Sequence, residues 1–95
     1  MQPRILLITG ATSGIGRHAA LHLSRRGHRV IATGRNERAL SELAAEARAA
    51  GHPLETLRLD VTDAGSIEAA RRSVDEMTGG HGLDVLVNNA GYGAL

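Results

Sequence analysis

A chain of 95 residues, 42% hydrophobic and 22% charged, has the size and composition of one small globular domain and not those of a disordered segment. Its formal net charge of +1 comes from interspersed acids and bases, so there is no basic patch for nucleic acid. Cysteine is absent, which excludes disulfides and thiolate metal sites, and the first apolar run is too short for a signal peptide or a membrane span. We therefore expect a cytoplasmic protein that binds neither nucleic acid nor a membrane.

Strand and helix patterns alternate along the chain. The predicted strands cover residues 4–9, 29–33, 54–59 and 83–88, and the first of them is a continuous apolar run, which is typical of a strand buried on both faces of a parallel sheet. Three segments with apolar residues at helical spacing separate them and cover residues 14–27, 36–51 and 62–80. The order βαβαβαβ predicts an α/β fold, a doubly wound parallel sheet of the Rossmann type with strand order 3-2-1-4.

The same patterns predict which side chains are buried. The strand residues expected in the core are Ile5, Leu7, Val30, Ala32, Leu57, Leu59, Val85 and Val87. On the first helix the expected buried stripe is Ile15, Ala19 and Leu23, and on the third it is Ile67, Ala70, Val74 and Met77. The fourth strand has no later strand to cover its outer edge, and an uncovered apolar edge predicts self-association.

A glycine-rich segment, TGATSGIG at 9–16, connects the first strand to the first helix. Gly10 permits a tight turn, Gly14 lets the backbone approach a phosphate, and Gly16 lets helix and strand pack closely. The N–H groups at the helix start then face an anion. A phosphate-binding loop of the Walker type is excluded because no Gly-Lys-Ser/Thr follows, and the remaining alternative is a purely structural turn.

Three motifs together give the chain a resemblance to a known family. They are Thr9, Gly10, Gly14 and Gly16 in TGxxxGxG, Asp60 and Val61 after the third strand, and Asn88, Asn89, Ala90 and Gly91 as NNAG after the fourth. With these motifs in register, the chain resembles the short-chain dehydrogenase/reductases. The resemblance covers all of 1–95, which corresponds to only the N-terminal, nucleotide-binding part of a typical member.

The resemblance implies a binding site for a nicotinamide dinucleotide. It implies that backbone groups of Ser13 and Ile15 meet the pyrophosphate, that Asp60 and Val61 hold the adenine, and that Asn88, Ala90 and Gly91 line the adenosine ribose side. Two alternatives stay open. Asn88 could brace the first and fourth strands, and Asp60 could cap the helix that follows it.

The second strand indicates which dinucleotide is bound. NAD-binding members of this fold normally place an acid at the tip of that strand, for the ribose 2′-hydroxyl. Here the tip reads Thr33, Gly34 and Arg35, with no carboxylate before Glu37. A guanidinium suits a 2′-phosphate through paired, charge-assisted hydrogen bonds, so NADP is predicted. The alternative is a solvent-exposed arginine without a ligand.

The resemblance also indicates which of the family's catalytic residues are not found in residues 1–95. The family's catalytic tyrosine and lysine occur in a YxxxK motif that lies later in the chain. All eleven basic residues here are arginine, and Tyr92 directly follows NNAG, so no catalytic residue is assigned. We expect the NADP(H)-binding part of an oxidoreductase that transfers hydride to or from an alcohol or carbonyl substrate, inactive without its C-terminal part. Two alternatives are a non-catalytic NADP-binding or redox-sensing module and another Rossmann adenosyl-ligand protein, such as a methyltransferase.

Two further groups of residues are interpreted as exposed surface. His18 and His22 are four residues apart on one helical face, a spacing that can bind metal, but no third ligand is near in the sequence. Arg25, Arg26 and Arg29 are interpreted as an exposed helix end.

Overall fold

Strands and helices alternate in the computed structural model, which describes residues 3–89. The elements in chain order are β1 Ile5–Ile8, α1 Gly14–Arg25, β2 Arg29–Gly34, α2 Glu37–Ala49, β3 Glu55–Arg58, α3 Ala64–Met77 and β4 Val85–Val87. Each predicted element forms. The strands other than β2 are shorter than predicted by one or two residues at each end.

The four strands form one parallel sheet with the order β3-β2-β1-β4. In the centre of the sheet, Leu7 is the register partner of both Ile31 on β2 and Leu86 on β4. This confirms the predicted fold class and strand order. Because all strands run the same way, the segments that follow them meet at one edge of the sheet.

Local signals set the helix ends. Asn36 caps α2, since its side chain accepts a hydrogen bond from the Ala39 N–H at 3.1 Å. Asp63 caps α3 by accepting from the N–H groups of Gly65 and Ser66. The chain leaves α1 through Gly27, whose φ of 93° is in the left-handed region that glycine adopts without strain.

Burial is deepest on the two central strands. Leu6, Leu7 and Ile8 of β1 are buried in succession, so both faces of that strand are covered. Among the eight predicted core residues, Leu7, Val30, Ala32 and Leu59 are buried, whereas Ile5, Leu57, Val85 and Val87 are only half-buried. These four still pack against the core clusters, and they are less buried because three of them lie on the edge strands and Ile5 opens its strand.

The buried stripe of α1 differs from the prediction. The residues that face the sheet are Gly16, Ala20 and Ser24, while Ile15 is 80% exposed and Ala19 and Leu23 are half-buried. The row of contact is shifted by one residue because the helix lies close to the sheet, where only small side chains fit. On α3, Ala70 and Val74 are buried as predicted, but Ile67 is 47% exposed.

Arg29 is not part of an exposed helix end. It begins β2, and its Nε and Nη2 donate to the two carboxylate oxygens of Glu55 on β3 at 2.6 and 3.0 Å. Its Nη2 also donates to the Met77 carbonyl oxygen at the end of α3 at 2.6 Å. The guanidinium thus joins two strands and a helix, and the Glu55 carboxylate raises the pKa of Arg29. Arg25 and Arg26 are exposed, as predicted.

Candidate functional site

The predicted site residues lie at the carboxyl edge of the sheet. Gly10 follows β1, Arg35 follows β2, Asp60 and Val61 follow β3, and Asn88 follows β4. In open parallel sheets, ligands bind outside this edge, at the point where the strand order reverses. In this sheet the reversal lies between β1 and β4, where the glycine-rich loop meets the end of β4.

The loop geometry requires glycine at three positions. Gly10 and Gly14 have φ of 62° and 59°, which L side chains rarely adopt. Gly16 has no room for a side chain, since a Cβ there would lie 2.2 Å from the Gly10 carbonyl oxygen and 2.5 Å from Asn89 Nδ2. A Cβ on Gly14, in contrast, meets no atom of the described residues within 4 Å. The loop therefore packs tightly against Gly16 and leaves open space beside Gly14.

Hydrogen bonds to β2 hold the middle of the loop. The Ala11 N–H donates to the Thr33 carbonyl oxygen at 2.9 Å, and Thr33 Oγ1 donates to the Ile8 carbonyl oxygen at 2.9 Å. Thr12 lies against Gly34, where an added Cβ would be 2.9 Å from Thr12 Cγ2. The loop is thus fixed above the tips of β1 and β2.

The start of α1 differs from the starts of the other two helices. Its N-cap residue, Ser13, is exposed and makes no side-chain cap hydrogen bond, and the first turn contains no acidic residue. Asn36 and Asp63 cap α2 and α3 with side-chain oxygens. The first turn of a helix carries N–H groups without intrahelical acceptors and a partial positive charge. At α1 these groups have no side-chain cap and lie beside Gly14, so an anion can approach them.

Two asparagines tie the end of β4 to the loop. Thr9 Oγ1 lies 3.2 Å from Asn88 Oδ1 and 3.5 Å from the Val87 carbonyl oxygen, and it accepts from the Asn89 N–H at 2.7 Å. Asn89 Nδ2 donates to the Gly10 carbonyl oxygen at 3.4 Å. The contact with Thr9 supports the alternative that Asn88 braces the first and fourth strands. Contact between Asn88 and a cofactor stays a prediction. The sequence placed Asn89 in NNAG but did not predict its hydrogen bond to the loop.

Asp60 lies in a tight turn beyond β3. Its Oδ1 accepts from Thr62 Oγ1 at 2.6 Å and from the Thr62 N–H at 3.0 Å. These hydrogen bonds, and then the positive charges of Arg35 and Arg58, lower the pKa of Asp60 against the opposing effect of burial. The cap of α3 is Asp63, which corrects the capping alternative for Asp60. The Asp60 carboxylate is therefore ionised at neutral pH and close to the tip of β2.

An apolar groove of about 670 Å³ runs along the α3 side of the sheet. Thr9, Val61 and Asn88 line its carboxyl end, while Ile67 and Leu86 border it with 47% and 58% of their surfaces exposed. Val61 thus lines the same groove as Asn88 at the end of β4. The predicted contacts of Ala90 and Gly91 lie outside the described residues.

The two histidines that are four residues apart lie away from this edge of the sheet. His18 and His22 lie on α1 with stacked rings, 6.2 Å between centroids and 7° between planes. Residues 3–89 contain no group of three or more histidine, cysteine or acidic side chains placed to hold a metal ion.

Within residues 3–89, no helix is long and apolar enough to cross a membrane. The cytoplasmic location stays a prediction.

A parallel sheet whose first strand leads through a glycine-rich loop into a helix defines a nucleotide-binding domain of the Rossmann type. The match to known proteins is more specific. A family model described as short chain dehydrogenase matches residues 4–95, and the chain belongs to this family. The resemblance inferred from the three motifs is confirmed, and it sets aside the methyltransferase alternative.

Several relatives and solved structures are similar to the chain over nearly all of its length. An uncharacterized oxidoreductase of Myxococcus xanthus is 48% identical over 98% of this chain and 36% of its own. A 3beta-hydroxysteroid dehydrogenase of Mediterraneibacter gnavus is 41% identical over 93% of this chain and 31% of its own. A crystal structure of an actinorhodin polyketide ketoreductase variant with NADPH has a TM-score of 0.83 and 40% identity, covering 92% of this chain and 33% of that one. A metagenomic short-chain oxidoreductase in complex with NADP has a TM-score of 0.83 and 36% identity, covering 92% and 38%. The chain thus spans about a third of the length of the proteins it matches.

Proposed function

We propose that residues 1–95 are the NADP-binding part of a short-chain oxidoreductase that transfers hydride between NADP(H) and an alcohol or carbonyl substrate. The glycine-rich loop carries the proposal. It combines two positive-φ glycines, an open approach at Gly14 and a helix start without a side-chain cap. Family membership and the similar structures that hold NADPH or NADP support the same cofactor here.

The pyrophosphate would bind at the loop. In this proposal the backbone N–H groups near Ser13, Gly14 and Ile15 donate to its oxygens, and the dipole of α1 stabilises its charge. Gly10 and Gly16 do not contact the pyrophosphate in this proposal; they let the loop fold onto the end of β4. The residues present fit a pyrophosphate, since the loop offers donors, an open approach and no acidic side chain in the first helical turn.

The adenosine half would lie across the tips of β2, β3 and β4. We assign Asp60 and Val61 to the adenine, and Asn88, Ala90 and Gly91 to the ribose side. Arg35 is exposed directly after β2 and is assigned to the 2′-phosphate. A phosphate monoester carries close to two negative charges near neutral pH, which a guanidinium fork can bind through two hydrogen bonds.

Bound NADP(H) supplies the hydride chemistry. Residues 1–95 bind and orient the adenosine and pyrophosphate groups, while the proton-transferring tyrosine and its lysine belong to the family's YxxxK motif. Because these 95 residues contain no lysine, we expect the purified chain to bind NADP without turning over an alcohol or carbonyl. Steady NADPH consumption proportional to chain concentration, and lost with cofactor binding, would contradict this division of roles.

A titration of the purified chain with NADP and NAD tests the cofactor assignment. Arg35→Ala removes a charge-assisted contact worth about 1.5–3 kcal/mol, so NADP affinity should fall roughly ten- to hundredfold while NAD affinity changes little. Arg38→Ala is the matched control, because Arg38 is exposed on α2 and faces Glu42 at 3.6 Å. An equal loss for both cofactors in Arg35→Ala would refute the assignment.

A pair of glycine variants tests the loop itself. Gly14→Val places a branched side chain where the pyrophosphate is proposed to lie, so binding of both cofactors should be lost. Gly79→Val is the control: its φ of 62° matches the 59° of Gly14, and neither position has an atom within 4 Å of an added Cβ. Gly79 follows α3, at the opposite edge of the sheet. If both variants bind NADP equally well, the loop is only a turn.

We also propose that the chain self-associates through β4. The strand lies at the edge of the sheet, and Leu86 exposes more than half of its surface beside the apolar groove. Burying such a side chain yields about 1.5–3 kcal/mol, so a second copy or the rest of a longer chain would be stabilised there.

A further inference from the structure

A second arginine ends the strand that lies beside the proposed 2′-phosphate position. Arg58 ends β3 and is the register partner of Gly34, the residue directly before Arg35. The ladder continues past this pair, since the Leu59 N–H donates to the Gly34 carbonyl oxygen at 2.9 Å. Neighbouring strands are about 4.8 Å apart, so the backbones that carry the two arginines are fixed side by side.

Arg58 shares a sheet face with the glycine-rich loop. Side chains alternate along a strand, so Arg58 lies on the same face as Leu54, which packs against the cluster under α1 and α2. Its partner Gly34 presents no side chain, and Thr12 of the loop lies against that position. The exposed Arg58 side chain therefore stands next to the loop and to the tip of β2.

Arg35 and Arg58 form no ion pair within the described residues. Among residues 3–89, the ion pairs within 4 Å that involve arginine use Arg17, Arg29, Arg38, Arg71 and Arg72. Arg35 and Arg58 take part in none of them, and the carboxylate that feels both charges is Asp60. Glu37 opens α2 two residues after Arg35 but forms no ion pair with it among the described residues. Two guanidinium groups that no ion pair engages favour the binding of an anion.

We propose that Arg58 is a second determinant of NADP specificity, and that Arg35 and Arg58 together face the 2′-phosphate. The inference rests on the proposed function and adds to it a residue from a different strand. Two guanidinium groups match the charge of a phosphate monoester, whereas the uncharged 2′-hydroxyl of NAD gains little from either.

Binding of small ligands to the purified chain tests this proposal without any need for turnover. Arg58→Gln, which keeps a polar side chain but removes the charge, should weaken adenosine 2′,5′-bisphosphate and NADP about tenfold. It should leave 5′-AMP and NAD within about twofold. Arg58→Ala should do the same, and Arg35→Ala combined with Arg58→Gln should abolish the preference for the 2′-phosphate. Arg38→Ala is again the control, and circular dichroism establishes that each variant is folded.

The possible outcomes separate the two proposals. If Arg58→Gln keeps the wild-type ratio of NADP to NAD affinity while Arg35→Ala lowers it, the role of Arg58 is refuted and the proposed function stands. If Arg58→Gln weakens all four ligands equally, Arg58 acts on the fold and the inference is wrong. If the wild-type chain prefers neither NADP nor the bisphosphate, the proposed cofactor and this inference fail together.

Discussion

The two faces of the sheet are packed to very different degrees. The face under α1 and α2 holds a continuous core, and its buried members are Leu6, Ile8, Ala11, Ala20, Val30, Ala32 and Leu43. On the opposite face, α3 is the one helix of the described residues, and the buried cluster is Leu7, Ile31 and Val74. The strand β4 shows the same contrast within three residues, because Val85 and Val87 join the larger core while Leu86 is 58% exposed on the other side.

This difference explains where the candidate site is rigid. The glycine-rich loop belongs to the packed face: Ala11 is fully buried there, and Thr12 contacts Gly34. A loop fixed by packing on one side keeps its N–H groups in place for a ligand on the other, which reduces the ordering cost of binding. The face with α3 contributes Val61 and the groove, which remains open for a further element or partner.

The largest effect is expected where the packed face is tightest. Gly16→Ala places a Cβ 2.2 Å from the Gly10 carbonyl oxygen, and backbone cannot move aside as a flexible side chain would. Overpacking typically costs 1–3 kcal/mol, so we expect a loss of about 3 kcal/mol or more in the free energy of unfolding, with loss of cofactor binding. Urea denaturation measures the first quantity and titration with NADP the second.

The control for this variant is on the open face. Gly65→Ala lies in the first turn of α3, where the added Cβ is 3.4 Å from Asp63 Oδ1. At such a position alanine is neutral or stabilises by up to about 1 kcal/mol. Equal unfolding midpoints for the two variants would mean that α1 does not approach the loop as closely as described.

The next effect concerns the open face itself. Leu86→Lys puts a charge beside the groove, so self-association should weaken by about ten- to hundredfold in its dissociation constant, with the monomer still folded. Ala45→Lys is the matched control, because Ala45 is exposed on α2 above the packed face. Sedimentation velocity over a range of concentrations measures the shift. A wild-type chain that stays monomeric throughout the range would refute association through β4.

The order of the elements and the topology of the sheet could be predicted because they depend on local patterns and on one strong rule of handedness. Apolar runs and helix caps such as Asn36 are short-range signals, and right-handed crossovers leave few ways to arrange four parallel strands. The glycine positions were also readable from the sequence, since Gly10 and Gly14 have the left-handed φ that glycine favours.

Burial in detail was less predictable, because it depends on what covers each face. The sequence cannot tell that Ile67 and Leu86 border a groove, since their periodicity is that of buried residues. On α1, a stripe of larger apolar residues predicted the wrong contact row, because close approach to the sheet selects Gly16, Ala20 and Ser24.

Contacts between distant segments were the least predictable part of the site. Asn89 bonds the loop across 79 positions of sequence, and Arg58 is brought beside Arg35 by strand register alone. Neither placement follows from spacing along the chain. The sequence could therefore indicate the motifs, but not which other residues lie next to them in the folded chain.

A smaller difference is expected between matched substitutions in the two cores. Val30 on β2 and Val74 on α3 are 1% and 7% exposed. Val30→Ala should cost about 2 kcal/mol, from two lost methyl groups and the cavity that remains. Val74→Ala should cost about 1 kcal/mol less, because the groove leaves the site looser and alanine favours a helix by a few tenths of a kcal/mol. Equal losses by urea denaturation would mean that the two faces are equally well packed.

The smallest effect concerns the hydrogen bonds that attach the amino end of β4 to β1. Asp84 Oδ2 accepts from the Ile5 N–H at 2.8 Å, the Asp84 N–H donates to the Ile5 carbonyl oxygen at 2.8 Å, and His81 Nε2 lies 3.3 Å from Asp84 Oδ1. The hydrogen bond from Ile5, then the one from His81, lowers the pKa of Asp84 below its ordinary value of 3.8 despite burial, and the charges of His81 and Arg4 act in the same direction. A carboxyl group whose pKa is lower in the folded state stabilises the fold fully above its unfolded pKa, and this contribution disappears as the pH falls through the folded pKa. Asp84→Asn should therefore lower the unfolding midpoint at pH 7. Between about pH 5 and pH 2, the midpoint of this variant should fall less than that of the wild type. The control is Asp75→Asn, an exposed change on α3, which should leave the pH dependence of the midpoint as in the wild type. Parallel declines for Asp84→Asn and the wild type would mean that this carboxylate does not hold β4 to β1.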